Sequence, residues 1–366
     1  MESRQPAHGL ASAVDYQSTK VMLHKDNKMG VVSVSLTDKL PLSVKELISG
    51  GVAGALAKTS VAPLERLKIL YQTRRGLFQG LGVVGSLGHI KKEEGFRSFY
   101  RGNGVSVLRI VPYAGFQFMA YEQYRRWMLE YHPAANGPLV ELAAGGLAGG
   151  SAVLLTYPLD LARTRLAYQV NSQGTGKVDK VIRSSLPPLS KGIGDVLRNV
   201  YKESGIRGLY RGVGATLYGI FPYAGLKFYI YEILKSNLPE DGEPSITGKL
   251  ACGAVAGCLG QTFTYPLDVV RRQMQVQGNK GLELDTRITE YHMKGTIPPF
   301  KGTFDGLIKV METQGWRQLF AGMSINYMKL IPSVAIGFTV YDGMKSWLRV
   351  PPRTKKQSKE QSTPPV

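Results

Sequence analysis

Three times along the chain a proline is followed two residues later by a carboxylate and three residues after that by a base. The strings are Pro63-Leu-Glu-Arg-Leu-Lys68, Pro158-Leu-Asp-Leu-Ala-Arg163 and Pro266-Leu-Asp-Val-Val-Arg271. Acid and base three apart share one face of a helix, and a proline inside a helix removes a hydrogen bond and bends it. Three such faces brought to one axis can interlock as a ring of ion pairs. A second charged set follows another recurring proline. Pro112, Pro222 and Pro332 lie 110 residues apart, and each precedes a Tyr-acid pair (Tyr121-Glu122, Tyr231-Glu232, Tyr341-Asp342) with a base three residues on (Arg125, Lys235, Lys345).

The elements that must hold these charges repeat with them, as self-similar units do in repeat architectures. Nine residues before each Pro63-type proline stands a glycine (Gly54, Gly149, Gly257), with another four residues earlier (Gly50, Gly145, Gly253). Small residues at that spacing let helix backbones approach closely in lipid. Gly95 and Gly102, Gly205 and Gly212, and Gly315 and Gly322 bracket a short aromatic-basic string in each unit. Each unit therefore reads as an apolar Gly-rich helix ending at the proline motif, a polar connection with a short amphipathic helix, and a second apolar helix. Residues 142–159 and 250–267 are eighteen-residue stretches without a charge, about the length that spans a bilayer core. Lys58, Arg109, Lys227 and Lys329 interrupt the other four. Ionisable side chains at membrane depth face a wet cavity or a partner.

Composition narrows the class. The formal net charge is +19, which implies a polyanionic partner or an anionic lipid surface. The bases are spread along the whole chain without a nucleic-acid-binding motif, so nucleic acid is not the expected partner. Cys252 and Cys258 lie in one apolar stretch and form neither a disulfide framework nor a metal site. A soluble helical solenoid would carry Leu-rich amphipathic faces instead of runs such as LAAGGLAGGSAVLLTYPL. Residues 1–40 lack an apolar signal core and hold one Arg against four acids, so no cleaved presequence is evident. The expected organisation is an extension at 1–42, repeats at 43–130, 138–238 and 245–349, and a disordered basic tail at 350–366.

PLERLK, PLDLAR and PLDVVR resemble the signature of the mitochondrial carrier family, and the threefold match covers roughly residues 43–349. The resemblance implies an all-α membrane protein with six transmembrane helices in three pseudo-symmetric repeats, each with a short matrix-side amphipathic helix. It implies a multi-pass inner-membrane location with both termini in the intermembrane space, and transport by opening alternately to either side. It also implies a matrix gate pairing Glu65–Arg163, Asp160–Arg271 and Asp268–Lys68, and a cytosolic gate pairing Glu122–Lys235, Glu232–Lys345 and Asp342–Arg125 with tyrosine braces at Tyr121, Tyr231 and Tyr341. The matrix-side glutamine brace falls on Leu70, Arg165 and Gln273, so Gln273 alone conforms and the matrix gate is expected to be the less braced. Cardiolipin is expected at the amides of Gly102, Gly212 and Gly322, beside Arg101 and Arg211. One chain suffices for the cavity, so a monomer is expected.

Three residues before the even-helix prolines the repeats differ: Arg109, Gly219 followed by Ile220, and Lys329. A threefold protein reads an asymmetric solute where it departs from its own symmetry. By resemblance these are substrate contact points, with Gly219-Ile220 a flat apolar slot for adenine and Arg109, Lys329, Lys58 and Lys227 holding phosphates. GALAKTSVAPLERLKILYQTRR, RIVPYAGFQFMAYEQYRR, YGIFPYAGLKFYIYE and SINYMKLIPSVAIGFTVYD resemble the coenzyme A carrier branch, in particular its plant members. ADP, ATP and adenosine 3′,5′-diphosphate suit the same residues, and an adenine-nucleotide or ATP-Mg/phosphate exchanger stays open, without the EF-hand of the calcium-regulated form. A membrane-embedded acyl-CoA enzyme is disfavoured: His8, His24, His89, His132 and His292 lie in tails, connections or interfacial segments without a repeated acidic partner. No resident cofactor or metal is expected.

Overall fold

Each of the three units begins with an odd helix that runs down to the proline motif, turns through a short helix, and returns as an even helix. A computed structural model describes residues 41–73, 78, 80–131, 137–169, 192–237, 246–277 and 300–350. The extension (1–40) and the tail beyond 350 lie outside the described residues, as do His8, His24, His132 and His292. The first unit holds α1 (Leu42–Ser60), α2 (Ala62–Thr73), α3 (Val83–Glu94) and α4 (Asn103–Tyr131). The second holds α5 (Pro138–Tyr168), α6 (Ile193–Leu209) and α7 (Val213–Ser236). The third holds α8 (Ile246–Val276), α9 (Thr303–Gln314) and α10 (Met323–Trp347). No strand occurs among the described residues.

Six spans result, with α1 and α2 forming one. By length and apolarity alone α5 and the stretch Trp316–Trp347 are long enough to cross a membrane, and the α1–α2 pair makes a third. The remaining spans are less apolar because polar and cationic side chains interrupt them. All six repeat prolines lie inside or at the start of helices. Only the first motif breaks its helix, with a 59° bend between α1 and α2. There two consecutive hydroxyls, Thr59 and Ser60, donate back to the carbonyls of Ala55 and Leu56 just before Pro63. Such back-bonding bends helices, and it adds to the bond that the proline removes.

The six bracketing glycines all adopt positive φ, between 62° and 85°, a region that side-chain-bearing residues avoid. Gly95 and Gly315 end α3 and α9, and Gly205 kinks α6; Gly102, Gly212 and Gly322 start the even helices. The second set also meets a neighbouring repeat. A Cβ on Gly102 would lie 2.8 Å from the carbonyl oxygen of Arg163, one on Gly212 3.2 Å from that of Arg271, and one on Gly322 3.4 Å from that of Lys68. The turn glycines thus press against the backbone of the three motif bases.

Apolar burial concentrates at the same end, called the lower end here. Three equivalent clusters anchor the short helices: Leu67, Leu70, Ile90 and Phe99; Leu161, Val196 and Val200; Val270, Val310 and Leu319. Asp305 accepts the Lys301 N–H at 2.7 Å at the start of α9 and pairs with Lys309 at 3.0 Å. Those two partners hold its carboxyl below the usual range. Along the repeat seams α4 packs on α5, α7 on α8, and α10 on α2.

The four-residue glycine spacing works differently from its expectation. A Cβ on Gly54 would meet Ile110 at 3.3 Å, but Gly50, Gly145, Gly149, Gly253 and Gly257 face open space. In the second repeat the close approach is one residue on, where Gly146 sits under the Phe221 ring.

Candidate functional site

The three odd helices bring their motif charges together at the lower end, the first across the break before Pro63 and the other two along continuous helices through Pro158 and Pro266. Arg163 donates to Glu65, Arg271 to Asp160 at 2.6 Å, and Lys68 to Asp268 at 2.7 Å. Every pair joins two different repeats. Two of the carboxylates are well shielded, Asp160 1% and Glu65 8% exposed, while Asp268 is 26% exposed; removing a partner of either shielded acid leaves an uncompensated buried charge at a cost of about 3–5 kcal/mol.

The cations expected to hold substrate also reach this ring. Arg109 donates to Asp160 at 2.8 Å and to the Thr156 hydroxyl at 3.1 Å, with its guanidinium 5.1 Å from the Tyr113 ring. Lys58 and Lys329 each donate to Glu65 at 3.4 Å. Arg272, which stands outside the acid–base motif, reaches Asp160 at 3.2 Å and approaches Asp268 at 4.0 Å. Seven cations (Lys58, Lys68, Arg109, Arg163, Arg271, Arg272, Lys329) therefore converge on three carboxylates. The floor carries four positive charges more than it neutralises.

Asp268 has no even-helix cation, because the position that is Arg109 in one repeat and Lys329 in another is Gly219 in the second. A cavity of about 220 Å³ opens in that place between α7 and α8. Gly219, Ile220, Tyr223, Gln261, Thr264 and Leu267 line it, with Asp268 and Arg271 at its base. It is smaller than the roughly 300–1,000 Å³ of a site that engulfs a whole ligand, so it accommodates one flat group. Tyr223 was missed in the sequence, although it stands directly after Pro222, as Tyr113 does after Pro112. Lys227 sits two turns above Gly219 on the same face of α7, with its Cβ 3.5 Å from where a Cβ of Gly260 would be, and is exposed.

Gln273 does not brace the ring. It donates to the Gln72 carbonyl and to Gln314, both at 3.0 Å. The glutamines on the carboxylates lie nine residues past the prolines instead. Gln72 donates to Asp268 at 3.1 Å and Gln275 to Asp160 at 2.9 Å, and each also reaches a tyrosine hydroxyl, Tyr265 at 3.2 Å and Tyr157 at 3.1 Å. Those tyrosines directly precede Pro266 and Pro158 and donate to the carbonyls of Ala321 and Arg211. The first corner lacks both devices: Ala62 stands for the tyrosine and Ala167 for the glutamine. Arg165 bridges to the Gln275 and Gln277 carbonyls at 3.1 Å, whereas Leu70 is in the apolar cluster of the first unit.

The upper ring is apart. None of the pairings Glu122–Lys235, Glu232–Lys345 or Asp342–Arg125 is made among the described residues. Lys235 lies 3.8 Å from Glu232 on its own helix, Arg125 donates to Glu141 at 2.7 Å, Tyr121 also donates to Glu141, and Lys345 lies over the Tyr341 ring. Tyr231 is half-buried. At the glycine starts of the even helices, Arg101 donates to Glu94 and to the Gln169 carbonyl, both at 3.0 Å, and Arg211 reaches Gln277 at 3.4 Å.

Six helical spans in three repeats around a cavity closed by ions below and open above define a membrane carrier of anionic solutes. The chain belongs to the mitochondrial carrier protein family, whose sequence profile matches it three times in succession, at residues 41–132, 135–242 and 242–351. Among its relatives is mitochondrial carrier protein CoAc1 of Arabidopsis thaliana, 55% identical over 325 residues, which are 88% of this chain and 96% of that protein. CoAc1 of Zea mays is 57% identical over 327 residues (88% and 93%). The mitochondrial adenine nucleotide transporter ADNT1 of Arabidopsis thaliana is 36% identical over 349 residues (91% and 94%).

Proposed function

We propose that this protein moves coenzyme A across the mitochondrial inner membrane into the matrix by alternating access, as a monomer with both termini in the intermembrane space. The observation that carries the reading is the floor: an excess of four cations beside one uncharged, tyrosine-flanked slot. Coenzyme A supplies what such a floor asks for, namely several phosphates for the bases, an adenine for the slot and a long arm for the open funnel above. The CoAc names of the 55% and 57% identical relatives agree with it. The lower ring is then the matrix gate and the upper ring the cytosolic gate. Substrate phosphates compete with Glu65 and Asp160 for Lys58, Lys329 and Arg109, so binding removes bonds that hold the floor shut. A solute shifts such an equilibrium only by its differential affinity for the two states, and exchange of one set of counter-charges for another provides it.

Cardiolipin suits the even-helix starts, where Gly102, Gly212 and Gly322 leave backbone amides, the first two beside Arg101 and Arg211. Adenine-nucleotide exchange is the second reading, favoured by the slot and by the likeness to ADNT1.

A competition panel in proteoliposomes separates them. Uptake of labelled coenzyme A should be inhibited most by unlabelled coenzyme A, less by its dephospho form, and least by ADP, ATP and pantetheine. Inhibition by ADP equal to that by coenzyme A would favour the second reading. Gly219→Trp gives an independent check. Only Leu267, at 3.7 Å, would touch a Cβ there, so the indole fills the slot without displacing backbone, and uptake should vanish while the melting temperature holds.

A further inference from the structure

The residue one past each motif base breaks the threefold symmetry: Ile69, Thr164 and Arg272. Ile69 is buried apolar and Thr164 is fully buried, so only α8 places a charge there. Arg272 uses it across two corners. Its Nη1 donates to Asp160 at 3.2 Å, to the Thr164 hydroxyl at 2.6 Å and to the Gln275 side-chain oxygen at 3.0 Å. Its Nε approaches Asp268 at 4.0 Å. One guanidinium thus faces the carboxylate that pairs with Arg271 and the carboxylate that pairs with Lys68. Arg163, the motif base of the remaining corner, pairs with Glu65, which takes its additional cations from the cavity side, Lys58 and Lys329.

We propose that Arg272 is a positioning residue that fuses the Asp160 and Asp268 corners into one latch, so that the lower ring parts as two units: the Glu65–Arg163 corner alone, and the other two together. A planar fork with several fixed donors can bridge two carboxylates and a hydroxyl; a lysine ammonium, a point charge on a flexible stem, holds one at a time. A third cation on Asp160, after Arg271 and Arg109, would be repulsive if it served that corner only. Facing Asp268 as well, Arg272 has a second counter-charge, which explains why the position tolerates an arginine beside Arg271. The inference rests on the reading of the lower ring as a gate.

The test reads which face of the membrane reaches the slot, a property that overall destabilisation does not set. A single reporter, Thr264→Cys, lines the cavity in a background with Cys252→Ser and Cys258→Ser. An impermeant thiol reagent is applied to inner-membrane vesicles of each orientation. Arg272→Gln should raise labelling from the lower face about tenfold relative to the upper, the factor expected for one lost charge-assisted hydrogen bond. Arg272→Lys should fall between it and the parent, and Arg317→Gln, the same charge loss beside the Trp316 ring, should leave labelling unchanged. Combined with Lys68→Gln, Arg272→Gln should be non-additive, since both cations face Asp268, and combined with Glu65→Gln additive, since groups that share a partner couple and those that share none do not. Parent-like labelling in both Arg272 variants overturns the proposal; should the glutamine variant fail to accumulate, the lysine variant decides. Asp268→Asn separates the underlying reading. If it shifts labelling while the Arg272 variants do not, only the latch falls; if it too has no effect, the lower ring is not a gate.

Discussion

The two charged rings have nearly the same composition and opposite structures. Each has three carboxylates and three motif bases, one pair per repeat, yet the lower charges pair with one another around the axis while none of the corresponding upper pairs is made among the described residues. The difference lies in what surrounds them. The lower ring has glutamines on two carboxylates, extra cations, apolar clusters below, and turn glycines wedged against the backbone of its bases. The upper ring has one acid, Glu141, that draws off both Arg125 and Tyr121. Identical pairing potential therefore becomes a closed ring of ion pairs only where the backbone is pinned. This is what a two-state carrier requires, because a ring locked at both ends would leave no path for the solute.

Mutations should break that contrast to graded extents. The largest effect is expected at Asp160→Asn, which leaves Arg109 and Arg271 without the carboxylate they pair with and Arg272 with Asp268 alone. The cost to the floor is about 3–5 kcal/mol, more than a hundredfold in the population of this state, seen as a lowered melting temperature and lost uptake. Gln275→Leu comes next. Its amide bonds both Asp160 and Tyr157, and leaving those groups short of a partner costs about 1–3 kcal/mol, measurable as a smaller fall in melting temperature. Glu232→Gln should sharpen the comparison from the other side. Its exposed i,i+3 pair with Lys235 is worth under about 1 kcal/mol, so melting should not move, while uptake should fall because the upper ring then cannot close. A melting change at Glu232 as large as at Asp160 would mean that the two rings are equally engaged.

Much of this was legible in the residues, and the unread part has a common cause. Prolines and bracketing glycines encode backbone directly, so the break at the first motif and the six positive-φ turns have a visible sequence cause, while Pro158 and Pro266 stay within continuous helices. The identities of the ring acids and bases follow too, since acid–base spacing on a helix fixes a shared face. The state of the upper ring was not legible: the same sequence must support both pairings, and a structure holds one. The brace was assigned to Gln273, two residues short of the Gln72 and Gln275 register, because the distance between converging helices decides which turn reaches a neighbouring carboxylate. Arg272 was overlooked as a mere neighbour of the motif base, although its asymmetry with Ile69 and Thr164 was in plain view. The spans of modest hydropathy stayed doubtful for a related reason, since cations such as Arg109 and Lys329 serve the cavity floor instead of the lipid face.

Pulsed EPR on the reconstituted protein tests the central claim most directly, with one pair of spin labels at the exposed lower positions Val84 and Tyr201 and another at the exposed upper positions Glu130 and Ser236. Adding coenzyme A should move part of the lower distribution to longer distances and part of the upper distribution to shorter ones. Distances that stay fixed at both ends, or that change in the same sense, would contradict a carrier whose floor opens as its upper ring closes.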